Sequence, residues 1–277
     1  DGYHIFQCRP SYMAIRHLPR SERIKTMRDP EMKRRILAEE DCPLDQALTP
    51  MVHHFAGRFA KVLETFYALS APIDYEPDES RRLDRIAVAT GKPMDEVLYD
   101  LLTEGDGFGI AAQFCYNYSG GTLATPWEQM QNPRILSGLG DGGAHLLLSC
   151  DGAMPTFQLS FWARDRKRGP RLPLELMVHR LSGDPAGLYE MHDRGTLAVG
   201  KRADINVIDF DRLSVDITRM QFDLPEGGGR LIQRSQGYLA TMVKGVTTRR
   251  FDQDTGARPG RLHRTGAVAE EAALAAE

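Results

Sequence analysis

Apolar positions recur along this chain at two spacings, one suited to helices and one to strands, and the helical spacing dominates the first two thirds. Met94, Val97, Leu98 and Leu101 fall at i, i+3, i+4 and i+7, a single apolar stripe on a helix whose start Pro93 pre-sets. A helix over Ser80 to Thr90 is expected before it, stopping at Gly91, which suits a left-handed helix end. Leu174, Met177, Val178 and Leu181 repeat the spacing, another helix runs through Met154, Phe157 and Phe161, and Asp184-Pro185 reads as the cap and first position of a short third one. Ser11 to Glu40 is polar and rich in both charges, with Met32, Arg35 and Ile36 placed as on a short surface helix; a helical excursion outside the core is expected there, extending to about residue 76. Pro72, Pro77 and the acidic Asp74-Tyr75-Glu76 mark an irregular connector.

Strand-like runs begin with Ile110 to Tyr116, followed by a helical stretch from Thr125 to Gln131 and a buried-looking run from Ile135 to Leu139. Such alternation predicts a parallel α/β sheet. Beyond Asp193 the texture becomes short strands and turns: Asp204 to Phe210, then Leu239 to Val243, a Lys244-Gly245 turn, and Val246 to Arg249. Gly227-Gly228-Gly229 is expected in an open loop, and the Ala- and Glu-rich end from about residue 266 is expected to fray.

Composition narrows the class. Of 277 residues, 42% are hydrophobic and 26% charged, with 35 basic against 38 acidic side chains, so neither nucleic acid nor an anionic membrane surface is favoured as a partner. No run approaches the ~18 apolar residues of a membrane span. Cys8, Cys42, Cys115 and Cys150 are widely spaced and form no C-x-x-C pair, which predicts reduced thiols and a cytoplasmic location. The opening Asp1-Gly2-Tyr3-His4 carries neither an initiator Met nor a leader, so this start is expected to be internal or processed.

The segment Leu139-Gly140-Asp141-Gly142-Gly143-Ala144-His145 holds the most chemistry. A carboxylate there would sit at the carboxyl end of a buried strand, the edge where α/β folds bind ligands, and glycines admit a substrate close to the backbone. The alternative is that Asp141 caps the following turn. Gly138, Gly140 and Gly143 also spell G-x-G-x-x-G, but the helix, strand and acidic ribose ligand of a dinucleotide site do not follow cleanly. The eight histidines form no H-x-H or H-x-x-x-H, and no G-x-S-x-G elbow occurs. Arg164, Arg166, Lys167, Arg168 and Arg171 read as cations complementing a helix end, and His179 as a helix-surface residue.

Several motifs together resemble the closing part of the amidohydrolase superfamily: Gly140 to His145, Pro185-Ala186, and above all Asp193-Arg194-Gly195-Thr196-Leu197-Ala198-Val199-Gly200-Lys201-Arg202-Ala203-Asp204. Arg9-Pro10-Ser11-Tyr12, Tyr116-Asn117-Tyr118, Cys150-Asp151, Phe161 to Asp165 and Asp223 to Gly229 are similar to its N-acyl-D-amino-acid deacylase branch. The resemblance implies an α/β fold in which residues 1–192 form the C-terminal part of a TIM-like (β/α)8 metallohydrolase barrel and 193–265 β-sandwich strands, with 266–277 a tail. It implies a zinc-dependent amide hydrolase acting on an N-acylated D-amino acid. Asp141 would be general base and acid and a possible metal contact, and Asn117, Tyr118, Gly142, Gly143 and His145 would line the substrate pocket. The early H-x-H and later histidines that hold zinc in the family have no counterpart here, and about 140 residues before Asp141 fall short of the ~250 that eight strand-helix units take. An incomplete barrel is therefore expected, inactive alone and partnered by a missing amino-terminal half or by another copy. A hydantoinase- or dihydroorotase-like cyclic amidase and a non-catalytic assembly or regulatory fragment are the alternatives.

Overall fold

The computed structural model describes residues 4–42, 62–69, 73–105, 107, 109–114, 116–118, 120–138, 140 and 151–262. The mixed helix and sheet content fits the α/β class. Two compact units divide the chain. One holds the described residues through Pro126 together with Ile217–Ile232, and the other holds Trp127 to Gly140, Asp151–Asp216 and the chain from Gln233 onward.

The first unit is built around the segment expected to lie outside the core. Pro10–Ile15, Arg20–Met27 and Pro30–Ala38 form three short helices. Their few apolar residues, Tyr12, Ile15, Ile24, Met27 and Ile36, pack with Leu83, Val97, Leu98 and Tyr99 into one cluster. Charge density misled the sequence reading because long side chains can lie over apolar neighbours while their heads find partners. Arg23, buried itself, donates to the carbonyls of Arg16 and Leu18 at 2.9 and 3.3 Å. Asp29 caps Pro30–Ala38 by accepting from the amides of Glu31 and Met32, with Pro30 at the first helical position.

Across this core, Leu83–Thr90 ends as expected at Gly91, whose φ of 69° is left-handed, and Met94–Thr103 buries its Val97 and Leu98 stripe. Tyr99 reaches back to donate to the Met27 carbonyl at 2.7 Å. Lys33 ties the helices together by donating to Glu96 at 2.8 Å and Asp100 at 2.6 Å.

Strand pairing differs from expectation. Ile110–Gln113 is shorter than the predicted run and pairs antiparallel with Phe66–Leu69, Leu69 opposite Ile110 and Phe66 opposite Gln113. Asn117, at a φ of 61°, turns the chain soon afterwards, a conformation Asn tolerates better than most residues. All strand pairs among the described residues are antiparallel. A second hairpin, Arg219–Phe222 with Gly229–Ile232, places Gly229 in a strand instead of an open loop. A Cβ at Gly229 would come within 2.8 Å of the Phe222 ring, so the glycine makes room for the aromatic residue opposite.

In the second unit, Met154–Phe157 continues into a π-helical stretch, Gln158–Asp165, followed by helices Leu174–Leu181 and Gly183–Leu188. The last begins one residue before Asp184, with Ser182 at the cap position, so Asp184 lies inside the first turn, not at the cap. Arg166 is buried, not a solvated helix-end cation: its guanidinium lies 4.9 Å from the Trp162 ring and donates to the Pro170 carbonyl at 2.9 Å. A four-stranded sheet has Gln253–Asp254 at one edge, then Val246–Arg250 and Tyr238–Val243, with Ile205–Ile208 at the other edge. The expected Lys244-Gly245 turn is present, both residues at positive φ (55° and 79°), which matches the twist of the flanking strands.

Candidate active site

Asp141, Gly142, Gly143 and His145 lie outside the described residues, as does Leu139. What is described is the approach to them and the departure from them. The helix Ala124–Gln131 ends in a turn where the Asn132 side chain accepts from the Arg134 amide at 3.0 Å. From Ile135 to Gly138 the chain is irregular and Ile135 is 38% exposed, in contrast to the buried strand expected there.

Arg180 holds this approach. Its Nε donates to the Met130 carbonyl at 2.8 Å, and its Nη1 donates to the Ile135 carbonyl at 3.0 Å and to Asp184 at 2.9 Å. At 3% exposure the guanidinium is withdrawn from water, so the two carbonyls and the carboxylate replace its hydration. Met130 is the penultimate residue of its helix, and a carbonyl there lacks an intrahelical donor. Asp184 also accepts from or pairs with His179, whose Nδ1 lies 3.0 Å from its second oxygen. His179, itself largely exposed, is therefore a surface residue with a specific partner.

On the departure side, the π-helical stretch carries buried polar groups that sequence reading missed. Ser160 donates to the Thr156 carbonyl at 3.0 Å, and the Thr156 hydroxyl meets the Tyr238 hydroxyl at 2.8 Å. The Gln158 side-chain oxygen is buried without a hydrogen-bond partner. Phe157 and Phe161 stack with ring centroids 4.7 Å apart. The apolar spacing of Met154, Phe157 and Phe161 found this helix, while its polar positions gave no periodic signal. A π-turn is a frequent companion of functional sites.

Asn117 and Tyr118 belong to the first unit. Asn117 is exposed, whereas Tyr118 is buried and donates its hydroxyl to the Pro77 carbonyl at 2.6 Å. Its ring packs against Tyr67 and Phe114, with centroids 5.6 and 4.6 Å away. Glu76, also buried, accepts from the Leu123 amide at 2.7 Å beyond this aromatic group.

The turn from Asp193 to Asp204 in the second unit is closed by charge and backbone together. Arg194 donates to Asp193 at 2.8 and 3.0 Å, Arg202 donates to Asp204 at 2.8 Å, and the Arg202 amide donates to the Asp193 carbonyl at 2.7 Å. Hydrogen bonding from Arg194, opposed by slight burial, holds the Asp193 carboxyl below the usual carboxylate range. Asp204 also accepts from the Lys244 amide, joining the turn to the sheet hairpin. Gly195 sits at a φ of 81°, where an added Cβ would come within 2.4 Å of the Ala186 methyl. The two most recognisable stretches of the sequence, Pro185-Ala186 and Asp193 to Asp204, therefore pack on one another.

The family model described as the Amidohydrolase family matches residues 107–249, just over half of the chain. No curated protein matches, and no solved structure matches. Enzymes of that family are generally metal-dependent. Among the described residues, no three His, Cys, Asp or Glu side chains come together as donors for an ion. The described residues thus do not fit a metal by themselves. Nor is any helix among them long and apolar enough to cross a membrane.

Proposed function

Because the chain belongs to the amidohydrolase family, we propose that it serves as a hydrolase of the amide bond in N-acylated D-amino acids, with Asp141 as general base and acid. The observation that carries this reading is the family match itself, which spans both the Asp141 segment and the Asp193 to Asp204 turn. Branch and substrate class rest on the deacylase-like motifs Arg9 to Tyr12, Tyr116 to Tyr118, Cys150-Asp151, Phe161 to Asp165 and Asp223 to Gly229, all but the first within the matched residues.

In this reading the Asp141 carboxylate accepts a proton from the water that attacks the acyl carbonyl. It then returns that proton to the departing amine nitrogen, which would otherwise leave as an unstable anion. Gly142 and Gly143 let the substrate approach the backbone, and His145, Asn117 and Tyr118 line the pocket. Within the first unit, Tyr118 gives its hydroxyl to the Pro77 carbonyl, which fixes its ring. Arg180 steadies the segment leading into Asp141. Zinc is the ion this reading implies, with Asp141 as a candidate contact and the remaining donors coming from outside the described residues. A partner supplying them, a further part of the same protein or another copy, belongs to the proposal.

The test is hydrolysis of N-acetyl-D-amino acids, their L-enantiomers and a hydantoin by the protein expressed from its natural reading frame, with zinc supplied. Release of free D-amino acid in preference to the L-form and without hydantoin opening is the expected result. Hydantoin opening alone would place the chain among cyclic amidases, and no hydrolysis of any amide would remove the enzyme reading. This 277-residue chain by itself, given the same zinc and substrates, is expected to show no turnover.

A further inference from the structure

The chain entering the three-helix segment of the first unit and the chain leaving it meet at several points. The Ser11 amide donates to the Glu39 carboxylate at 2.9 Å, and the Ser11 hydroxyl donates to its other oxygen. Arg9 lies 3.3 Å from Asp41. The Cys42 amide donates to the Cys8 carbonyl at 2.7 Å. The start of the segment thus lies against its end, residue 11 meeting 39, 9 meeting 41 and 8 meeting 42. A backbone hydrogen bond joins Cys8 and Cys42 directly.

Both thiols are reduced, Cys8 buried and Cys42 partly exposed. A backbone hydrogen bond between two residues brings their Cα atoms within roughly 6 Å, inside the range a disulfide bridges without backbone movement. We infer that Cys8 and Cys42 are a redox-sensitive pair that a peroxide converts to a disulfide. Cys42, open to solvent, attacks the peroxide O–O bond as thiolate; one oxygen leaves as water and the other remains as the Cys42 sulfenic acid. The Cys8 thiolate then attacks that sulfur, the S–S bond forms, and the sulfenic hydroxyl departs as a second water. Two thiols are oxidised and one peroxide is reduced to two waters. This chemistry is independent of hydrolysis.

The new bond would close a ring around the helices Pro10–Ile15, Arg20–Met27 and Pro30–Ala38, which carry Tyr12, Ile24, Met27 and Ile36 into the core. A covalent closure at the mouth of that segment restricts the unfolded chain, and a rise in melting temperature on the order of 5 to 10 °C is expected on oxidation.

The experiment treats the full chain carrying Cys115→Ala and Cys150→Ala with hydrogen peroxide, then maps its peptides without reduction. A cross-linked peptide containing Cys8 and Cys42, with a melting temperature that rises and falls back on adding dithiothreitol, is the expected result. Cys42→Ser and Cys8→Ala should each abolish both signals. Retention of two alkylatable thiols after peroxide treatment, or Cys42 carried on to sulfinic acid with Cys8 untouched, would overturn the inference. If the doubly substituted chain does not fold, the same map on the unsubstituted chain decides, because peptide masses separate an 8–42 bridge from every other pairing.

Discussion

The Arg180 guanidinium donates to the Ile135 carbonyl at 3.0 Å, six residues ahead of Asp141, and so fastens the stretch leading to the candidate base to a helix of the same unit. The same side chain serves the Met130 carbonyl and Asp184. One buried cation therefore replaces the strand pairing that the sequence suggested for this segment.

Arg180→Met is expected to destabilise the second unit by about 2–4 kcal/mol, because two carbonyls and a carboxylate lose a shared donor in a place water hardly reaches. Denaturant unfolding checks it, with Arg180→Lys expected to lie between the two, since an ammonium lacks the planar fork that spans three acceptors.

Gly195→Ala should cost roughly 2–3 kcal/mol by the same measurement, from the left-handed backbone and from the collision with Ala186. Gly200 shares the positive φ but has open space around it, so Gly200→Ala should lose only about 1 kcal/mol. A comparison of the pair separates packing from backbone strain.

Burial first, then the amino-terminal charge and that of Arg23, push His4 down to a pKa of about 3. In the unfolded chain the imidazole titrates near its ordinary ~6.5. The unfolded state thus binds the proton more readily, so the neutral-imidazole contribution is fully present above pH ~6.5 and is lost as pH falls toward about 3. Urea midpoints measured between pH 7 and 4 should decline, and His4→Phe should flatten part of that decline while removing the contact with the Tyr12 hydroxyl.

Asp100 adds to the same acid sensitivity at lower pH. Burial works to raise its pKa, but hydrogen bonds from Lys33 and Lys92 outweigh that and set it below the usual carboxylate range. Its stabilising pairings are present above the unfolded carboxylate pKa of ~3.9 and disappear as pH falls through the depressed folded value. Asp100→Asn should remove this component, leaving the His4 component in place.

Features written in local chemistry were legible beforehand. Gly91 ended its helix, Lys244-Gly245 made its turn, and Leu174 to Leu181 and Met94 to Leu101 showed their stripes because each signal sits within a few residues. Strand direction was not legible, since the partner of Ile110–Gln113 lies more than forty residues away at Phe66–Leu69 and nothing local encodes antiparallel pairing. The segment from residue 11 to 40 was misjudged because charges outnumber its apolar residues, although Ile24, Met27 and Ile36 suffice to anchor it. Arg166 read as a helix-end cation and Arg180 carried no signal in the sequence; their acceptors, the Pro170, Met130 and Ile135 carbonyls, distinguish them. Of the proposed site, Asn117 and Tyr118 fall within the described residues, while Asp141, Gly142, Gly143 and His145 rest on motif alone.

The most direct measurement is kcat/KM for an N-acetyl-D-amino acid with the zinc-supplied protein from its natural reading frame, compared with its Asp141→Asn form. A fall of about 10²–10⁴-fold is the expected result for a lost general base, and zinc content measured alongside separates that loss from loss of a metal contact. Activity retained within a few-fold in Asp141→Asn would contradict the account.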